Sequence, residues 1–206
     1  MNSKSLIEQL RKYTTPELCD GAVVLRPMDY HIKPRAAARK IVGTAYTVDA
    51  PKAVSGIIPD AILEAKEGDV IVVSGKGECN RSYWGDHRSI CAKMKGIEGV
   101  VIDGGFRDVC ECENVGVPIY ARAVIPVSAG KGAAGQLNVP IVCGGVEVCP
   151  GDFIVGDQNG VVVIKPEEVE EVMEKADKKI AAQEKTIKRM KDTGEIIPRV
   201  LKKEEN

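Results

Sequence analysis

The sequence predicts an α/β protein, and three observations support this class. Between residues 57 and 125 the chain alternates helix, strand, helix, strand, helix and strand, which is typical of a βαβ-type layer. Short β-rich runs then occupy 137–164, and a long amphipathic helix follows over 166–193. We therefore expect one domain over 1–206, with a core over 14–165 and a C-terminal helix over 166–193.

The N-terminal part predicts two short helices and a strand. Leu6, Ile7 and Leu10 recur at helical spacing within residues 1–12. The segment Thr14-Thr15-Pro16-Glu17 provides a capping residue, a first-turn proline and an early acid, so a second helix is predicted to begin there. Residues 42–50 have the pattern of a strand, which a proline closes.

Three helix–strand pairs make up the predicted layer. The helices are predicted at 57–65, 86–95 and 108–114, and the strands at 70–73, 100–102 and 118–124. The first of these strands is predicted to end in the turn Ser74-Gly75-Lys76-Gly77. The helix over 86–95 is predicted to place Ile90, Cys91 and Met94 on one apolar face and to end at Gly96.

The C-terminal part predicts antiparallel β structure followed by one long helix. Short strands are predicted at 140–143, 146–148, 153–155 and 161–164. Asn159-Gly160 is a strong hairpin signal between the last two. The helix carries an apolar stripe made of Val169, Val172, Met173, Ala176, Ile180, Ile187 and Met190. Such a helix is longer than one small core usually covers, so we expect part of the stripe to meet a neighbouring subunit. The charged tail from Pro198 onward is expected to fray.

The composition excludes several classes of function. Hydrophobic residues make up 44% and charged residues 29% of the chain, with a formal net charge of −1, as in ordinary globular proteins. Because the net charge is close to zero, no basic surface for nucleic acid is expected. Because aromatic residues make up only 4%, no base-stacking surface is expected either. We find no signal-peptide pattern and no run long enough to span a membrane, and we therefore expect a cytoplasmic protein without a membrane partner.

The seven cysteines predict neither a disulfide framework nor a zinc site. Their number is odd and no CxxC spacing occurs. We expect most of them to be small buried residues in a reducing compartment.

The chemically most informative segment runs from Tyr83 to Asp108. Asp86 is followed by twenty residues and then by the pair Arg107-Asp108, and both acidic positions fall where predicted helices begin after predicted strands. In sheets of this kind, ligands bind beyond the carboxyl ends of the strands, where helix N-termini offer free amides. Mg²⁺ typically takes one or two carboxylates together with water and substrate oxygens, and arginine matches a substrate carboxylate. The amides of His87 and Arg88 add candidate donors for an anion.

Each of these residues also has a simpler interpretation. Asp86 would serve as a helix N-cap, Asp108 as an early helix acid and Arg107 as a surface ion-pair partner. Asp103 is interpreted as a turn residue, and His87 as an exposed helix residue. The grouping as a whole, more than any single residue, indicates a site for a divalent cation and a small 2-oxo acid.

The sequence resembles the class II pyruvate aldolase family of 4-hydroxy-4-methyl-2-oxoglutarate/4-carboxy-4-hydroxy-2-oxoadipate aldolases, whose superfamily also contains regulators of ribonuclease activity. The most specific match is the run from Gly99 to Asp108, and the resemblance covers roughly 14–195. Further matches lie at 18–22, 43–48, 144–146, 148, 150–152, 157 and 160–163. The resemblance implies a layered α/β/β/α sandwich with a swivelling β/β/α-type core and a long C-terminal helix. It also implies a homotrimer with sites at the subunit interfaces.

The resemblance further implies roles for individual residues. Asp108 would ligate Mg²⁺ or Mn²⁺, and Arg107 would hold the pyruvyl carboxylate. Asp86 would orient metal-bound water and help with proton transfer, and Gly85, His87 and Arg88 would complete the substrate site. In the family a neighbouring subunit's C-terminal helix lends an acid, for which Glu184, ten residues before Gly194, is the candidate.

Two departures from the family leave the natural substrate open. Lys52-Ala53-Val54-Ser55-Gly56 stands where an Asp-Asn pair is common, and His87-Arg88-Ser89 is more polar than the apolar pair of the characterised aldolases. Such a basic loop suits a more anionic or phosphorylated substrate.

Two functions follow from the sequence. The first is a metal-dependent lyase that releases pyruvate by retro-aldol cleavage or decarboxylates oxaloacetate. The second is a non-catalytic regulator that binds an RNA-degrading enzyme. A methyltransferase is rejected, because no GxGxxG loop follows an early strand.

Overall fold

The computed structural model describes residues 3–196. The helices are α1 (Ser3–Leu10), α2 (Thr15–Gly21), α3 (Ile58–Glu64), α4 (Asp86–Lys95), α5 (Val109–Val115) and α6 (Val169–Thr193), with a 3₁₀ turn at Pro166–Glu168. The strands are β1 (Lys33–Ala36), β2 (Ile41–Asp49), β3 (Val70–Trp84), β4 (Gly99–Phe106), β5 (Ile119–Val124), β6 (Gln136–Leu137), β7 (Ile141–Cys143), β8 (Val146–Val148), β9 (Phe153–Asp157) and β10 (Gly160–Ile164).

One sheet organises the molecule. Its order is β1-β5-β4-β3-β2-β9-β10, with the short β6 beside β2. Strands β2, β3, β4 and β5 are mutually parallel, whereas β1, β9 and β10 join antiparallel. The sheet curls until β1 approaches β10, and the Lys33 ammonium donates to the carbonyl of Asn159 across this gap. The result is a nearly closed, barrel-like sheet.

Alternating side chains on the strands divide the core between the two faces of the curled sheet. Inside the curl, Ile41 and Ala45 of β2 pack with residues of β3, β4, β5, β9 and β10 and with the β7–β8 hairpin. Outside it, Tyr46 and Val48 lie beneath α3, α4 and α5, while Val42 lies beneath α1, α2 and α6. Helices thus cover both halves of a folded-over sheet, which confirms the predicted layered α/β fold with a long C-terminal helix.

Several local signals are confirmed residue by residue. Thr14 and Glu17 form the reciprocal capping box that begins α2. Helix α4 spans the predicted residues and ends at Gly96, which adopts the left-handed conformation. The β9–β10 hairpin forms where predicted, but one residue earlier: Gln158 and Asn159 make the turn, and Gly160 already pairs with Asp157.

Two predictions about β3 and α4 are wrong. Strand β3 does not end at residue 73 but continues to Trp84, because register shifts against β4 absorb the positive φ angles of Lys76 and Gly77. Helix α4 buries Ser89 and Ala92, whereas Met94 is 84% exposed. The reason is a hydrogen bond of 2.8 Å from the Trp84 indole to the Ser89 hydroxyl, which turns that side of the helix toward the sheet.

The interpretation of Asp103 as a turn residue is also wrong. Asp103 is a buried residue of β4, paired with Arg122 and accepting the Gly144 amide at 3.0 Å. Arg122 in turn contacts Asp29 at 3.1 Å, so the network ties β4 and β5 to the segment before β1.

The cysteine prediction is correct about disulfides and wrong about burial. All seven thiols are free, but only Cys112 and Cys143 are fully buried. Cys91 and Cys110 lie exposed on α4 and α5 because these short helices present one side to solvent.

The N-terminal half of α6 packs against α2 and the sheet. Val169, Val172, Met173 and Ala176 are buried, whereas Ile187 is 50% exposed. The tail from Pro198 lies outside the described residues. Within 3–196, no helix combines the length and the apolar character needed to cross a bilayer.

Candidate functional site

The candidate site forms where two neighbouring parallel strands end. Trp84, the last residue of β3, is in register with Phe106, the last residue of β4. Helix α4 begins two residues after β3, and α5 begins three residues after β4. The carboxyl-end edge of the sheet therefore brings Asp86 and Asp108 together, although twenty-one residues separate them in the chain.

Gly85 allows the two turns to approach one another. A Cβ at this position would stand 2.5 Å from Oδ2 of Asp108 and 3.5 Å from Nε of Arg107. The φ angle of Gly85 is extended, so the glycine is required for space and not for a left-handed turn. Only a residue without a side chain leaves space here for the Asp108 carboxylate.

Asp108 has an unusual backbone for a residue with a side chain. Its φ of 58° and ψ of 49° are left-handed, and its side chain does not cap α5. Such a conformation costs about 1–2 kcal/mol, although aspartate tolerates it better than most residues. The Asp108 carboxylate is instead directed to the start of α4, where Oδ2 accepts the Asp86 amide at 3.4 Å.

Asp86 is the first residue of α4, so its interpretation as the N-cap is wrong, because Gly85 occupies that position. Its Oδ1 accepts the amide of His87 at 2.7 Å. The first amides of α4 therefore hold the two carboxylates, and the His87 amide is not left for an external anion. The His87 side chain is 93% exposed, as predicted for a surface helix residue.

Arg107 joins the same group. Its Nε lies 3.2 Å from Oδ2 of Asp108, and its amide donates to the Trp84 carbonyl at 3.0 Å. The side chain is 41% exposed, which leaves the outer part of its guanidinium accessible. A bidentate carboxylate ligand fits this presentation.

The three residues line one pocket of about 180 Å³, together with Gly85, His87 and Arg88. The pocket also contains residues that sequence reasoning did not select, notably Lys131 and Ser128 from the loop after β5. The glycine-rich, cationic run Gly130-Lys131-Gly132 was the only available signal for this loop.

Arg88 has a defined place in the pocket wall. Its guanidinium donates to the Tyr83 carbonyl, and Nη2 donates to the carbonyl and hydroxyl of Ser55 at 2.9 and 3.2 Å. Burial, and then the positive charge of Arg107, lower the pKa of Arg88. Two guanidinium groups thus share one small cavity.

The donor set fits a weakly chelated hard cation. Within residues 3–196, no three His, Cys, Asp or Glu side chains cluster into a metal cage. Mg²⁺ and Mn²⁺ need only one or two carboxylates beside water and substrate oxygens, and Asp86 and Asp108 provide two. Substrate would have to complete the coordination, which agrees with the accessibility of the pocket.

Glu184 is placed elsewhere. It lies on the exposed C-terminal half of α6 and does not line the pocket of its own chain. Its role as an acid lent to a neighbouring subunit stays a prediction.

Comparisons with known proteins agree with this fold. A sequence model described as "RraA-like: Aldolase/RraA" matches residues 15–163. A protein of Halalkalibacterium halodurans, named "Putative 4-hydroxy-4-methyl-2-oxoglutarate aldolase", is 38% identical over 96% of this chain and 94% of its own length.

Two solved structures are similar as well. Streptomyces coelicolor RraAS2, described as an unusual member of the RNase ES inhibitor RraA protein family, has a TM-score of 0.82 at 26% identity, covering 92% of this chain and all of its own. The RNA-processing inhibitor RraA from Thermus thermophilis has a TM-score of 0.69 at 26% identity, covering 74% of this chain and 92% of its own. The fold, the match over 15–163 and the aldolase-named relative lead to one conclusion: this chain belongs to the RraA-like family.

Proposed function

We propose that this protein is a divalent-metal-dependent lyase that acts on 2-oxo acids. It would release pyruvate from a 4-hydroxy-2-oxo acid by retro-aldol cleavage, decarboxylate oxaloacetate, or do both. The observation that carries the proposal is the meeting of Asp86, Arg107 and Asp108 in one pocket. The aldolase name of a relative that matches nearly the whole chain supports a lyase at the level of the family.

The residues divide the work according to their chemistry. Arg107 would bind the carboxylate of the 2-oxo acid through its exposed N–H groups. Asp108 would hold Mg²⁺ or Mn²⁺, and Asp86 would act beside it in proton transfer. Such a cation, when bound, offsets negative charge that develops on the ketone oxygen as the carbon–carbon bond breaks.

Proton movement would fall to Asp86. In retro-aldol cleavage the C4 hydroxyl loses its proton as the bond between C3 and C4 breaks, and a proton added at C3 completes pyruvate. Asp86 lines the same pocket, is half-buried, and accepts the His87 amide at its Oδ1, which orients the carboxylate. A positioned carboxylate is suited to both transfers.

The assembly forms part of the proposal. We expect a homotrimer in which Glu184 of one chain completes the site of the next. The exposed half of α6 and its uncovered Ile187 support this expectation.

The activity is tested with purified full-length protein and oxaloacetate. Pyruvate should form with Mg²⁺ or Mn²⁺, stop on addition of EDTA, and return when metal is restored. The proposal would be excluded if pyruvate formation continued unchanged in EDTA, or if no 2-oxo acid were turned over.

A second candidate is a regulator that binds an RNA-degrading enzyme. The inhibitor names of two structural neighbours favour it. Because such binding makes no use of the pocket, Arg107→Met and Asp108→Asn should bind a ribonuclease as well as wild type does. A pull-down that recovers no ribonuclease would end this alternative.

A further inference from the structure

The pocket contains more positive charge than its acids neutralise. Arg88, Arg107 and Lys131 line it together with Asp86 and Asp108. Arg107 is paired with Asp108. Within the described residues, neither Arg88 nor Lys131 has a carboxylate at ion-pair distance.

Of these two cations, Arg88 gives the stronger evidence that the pocket binds an anion. Its side chain is half-buried, and the hydrogen bonds it makes go to the neutral oxygens of Tyr83 and Ser55. A partly buried charge without a counter-ion is costly, and a second guanidinium nearby adds repulsion. An anion from outside the chain would relieve both.

Lys131 lines the same pocket, and main-chain hydrogen bonds fix the loop that carries it. The Ser55 amide donates to the Gly130 carbonyl at 2.9 Å, and the Gly56 amide donates to the Gly132 carbonyl at 3.0 Å. Gly130 and Gly132, the two neighbours of Lys131, are therefore bound to Ser55 and Gly56. Arg88 donates to the same Ser55. A Cβ on Gly56 would stand 2.2 Å from the Lys131 carbonyl, so this approach depends on glycine.

We infer that Arg88 and Lys131 form a second anion subsite, which holds a carboxylate or phosphate at the end of the substrate remote from the pyruvyl group. Ser55 is a positioning residue that fixes both cations. This inference rests on the proposed function for the identity of the ligand, but the anion subsite itself is independent of turnover. It makes Arg88 a determinant of substrate class.

The first experiment measures anion binding without turnover. Inorganic phosphate is titrated calorimetrically into the full-length protein, with Mg²⁺ and saturating pyruvate present to occupy the Arg107 side. Losing one charge-assisted contact should weaken binding about tenfold or more in Lys131→Met and in Arg88→Met. Lys12→Met, an exposed lysine outside the pocket, is the matched control and should bind phosphate as wild type does.

The second experiment measures substrate preference. KM is compared for 4-hydroxy-2-oxo acids that end in a methyl group, a carboxylate or a phosphate. Lys131→Met should raise KM about tenfold for the doubly anionic substrates and less than about twofold for the methyl compound. The lower of the two wild-type KM values identifies carboxylate or phosphate as the natural group. Arg88→Lys, which keeps the charge, should recover part of the loss seen in Arg88→Met if that variant is folded.

The outcomes separate the two proposals. Phosphate binding that is unchanged in Lys131→Met, with no change in substrate preference, overturns the subsite even if the lyase is active. Phosphate binding that depends on Arg88 and Lys131, without turnover of any 2-oxo acid, keeps the subsite and removes the lyase.

Discussion

Asp108→Asn should separate the stability of this protein from its activity. Two features of the structure predict a small effect on stability. The pair that Asp108 forms with Arg107 has side chains 30% and 41% exposed, and exposed pairs of this kind contribute about 0–1 kcal/mol. Asparagine also tolerates the left-handed backbone that Asp108 adopts.

The expected change in the free energy of unfolding is therefore below about 1 kcal/mol, or about 2–4 °C in Tm for a chain of this size. Activity should fall far more, because the amide is a poor ligand for a hard cation. A loss of about a thousandfold in kcat/KM corresponds to about 4 kcal/mol of transition-state stabilisation.

The assay pairs urea denaturation with Mg²⁺-dependent oxaloacetate turnover. Asp60→Asn is the control, because Asp60, like Asp108, lies near the start of a helix, but it is exposed and lies outside the pocket. An Asp108→Asn protein that keeps more than a tenth of its activity refutes the reasoning. So does one that loses more than about 3 kcal/mol of stability, since unfolding would then explain the lost turnover.

Three further changes test other parts of the structure. Gly85→Ala should fold normally but lose most activity, because its Cβ would stand 2.5 Å from Oδ2 of Asp108 and displace that carboxylate. Arg122→Met should lower the free energy of unfolding by about 3 kcal/mol in urea titrations, since it leaves the buried carboxylate of β4 unpaired. The His31 amide and ring, with Arg122, lower the pKa of Asp29 to about 2 from its ordinary value of 3.8. A depressed carboxyl pKa contributes stability above pH 3.8 that is lost as pH falls toward 2, so Asp29→Asn should flatten the fall of stability over that range.

For each of these three variants, one result would contradict the expectation. A fully active Gly85→Ala would mean that the Asp108 carboxylate is not needed where it lies. An Arg122→Met protein as stable as wild type would mean that water replaces the guanidinium in the network. Parallel pH profiles for wild type and Asp29→Asn would assign acid unfolding to other carboxylates.

The fold was predictable where the signals are local. Gly96 marks the end of α4, and Thr14 with Glu17 marks the start of α2, because capping depends on residues a few positions apart. The closure of the sheet was not predictable from periodicity, since the approach of β1 to β10 depends on how the whole sheet twists.

The buried face of α4 illustrates the same limit. The apolar residues of that helix suggested one face, but the indole of Trp84 bonds to Ser89 and turns another face inward. A hydrogen bond between a strand and the helix that follows it has no signature in hydrophobic spacing.

The candidate site was predictable in part for a related reason. Asp86 and Asp108 follow two adjacent parallel strands, so the order of elements alone brings them together. Lys131 reaches the pocket through a loop that pairs with β3 at Ser82 and with the segment around Ser55. Such long-range pairing leaves no periodic pattern, and the lysine was missed.

Mn²⁺ binding, followed by electron paramagnetic resonance, tests whether the cation and the 2-oxo acid share one site. Wild type and Asp60→Asn should bind Mn²⁺ more tightly when oxalate, a mimic of the pyruvyl group, is present, and Asp108→Asn should not bind it. Equal binding by Asp108→Asn, or no effect of oxalate on wild type, would contradict a shared site for the cation and the 2-oxo acid.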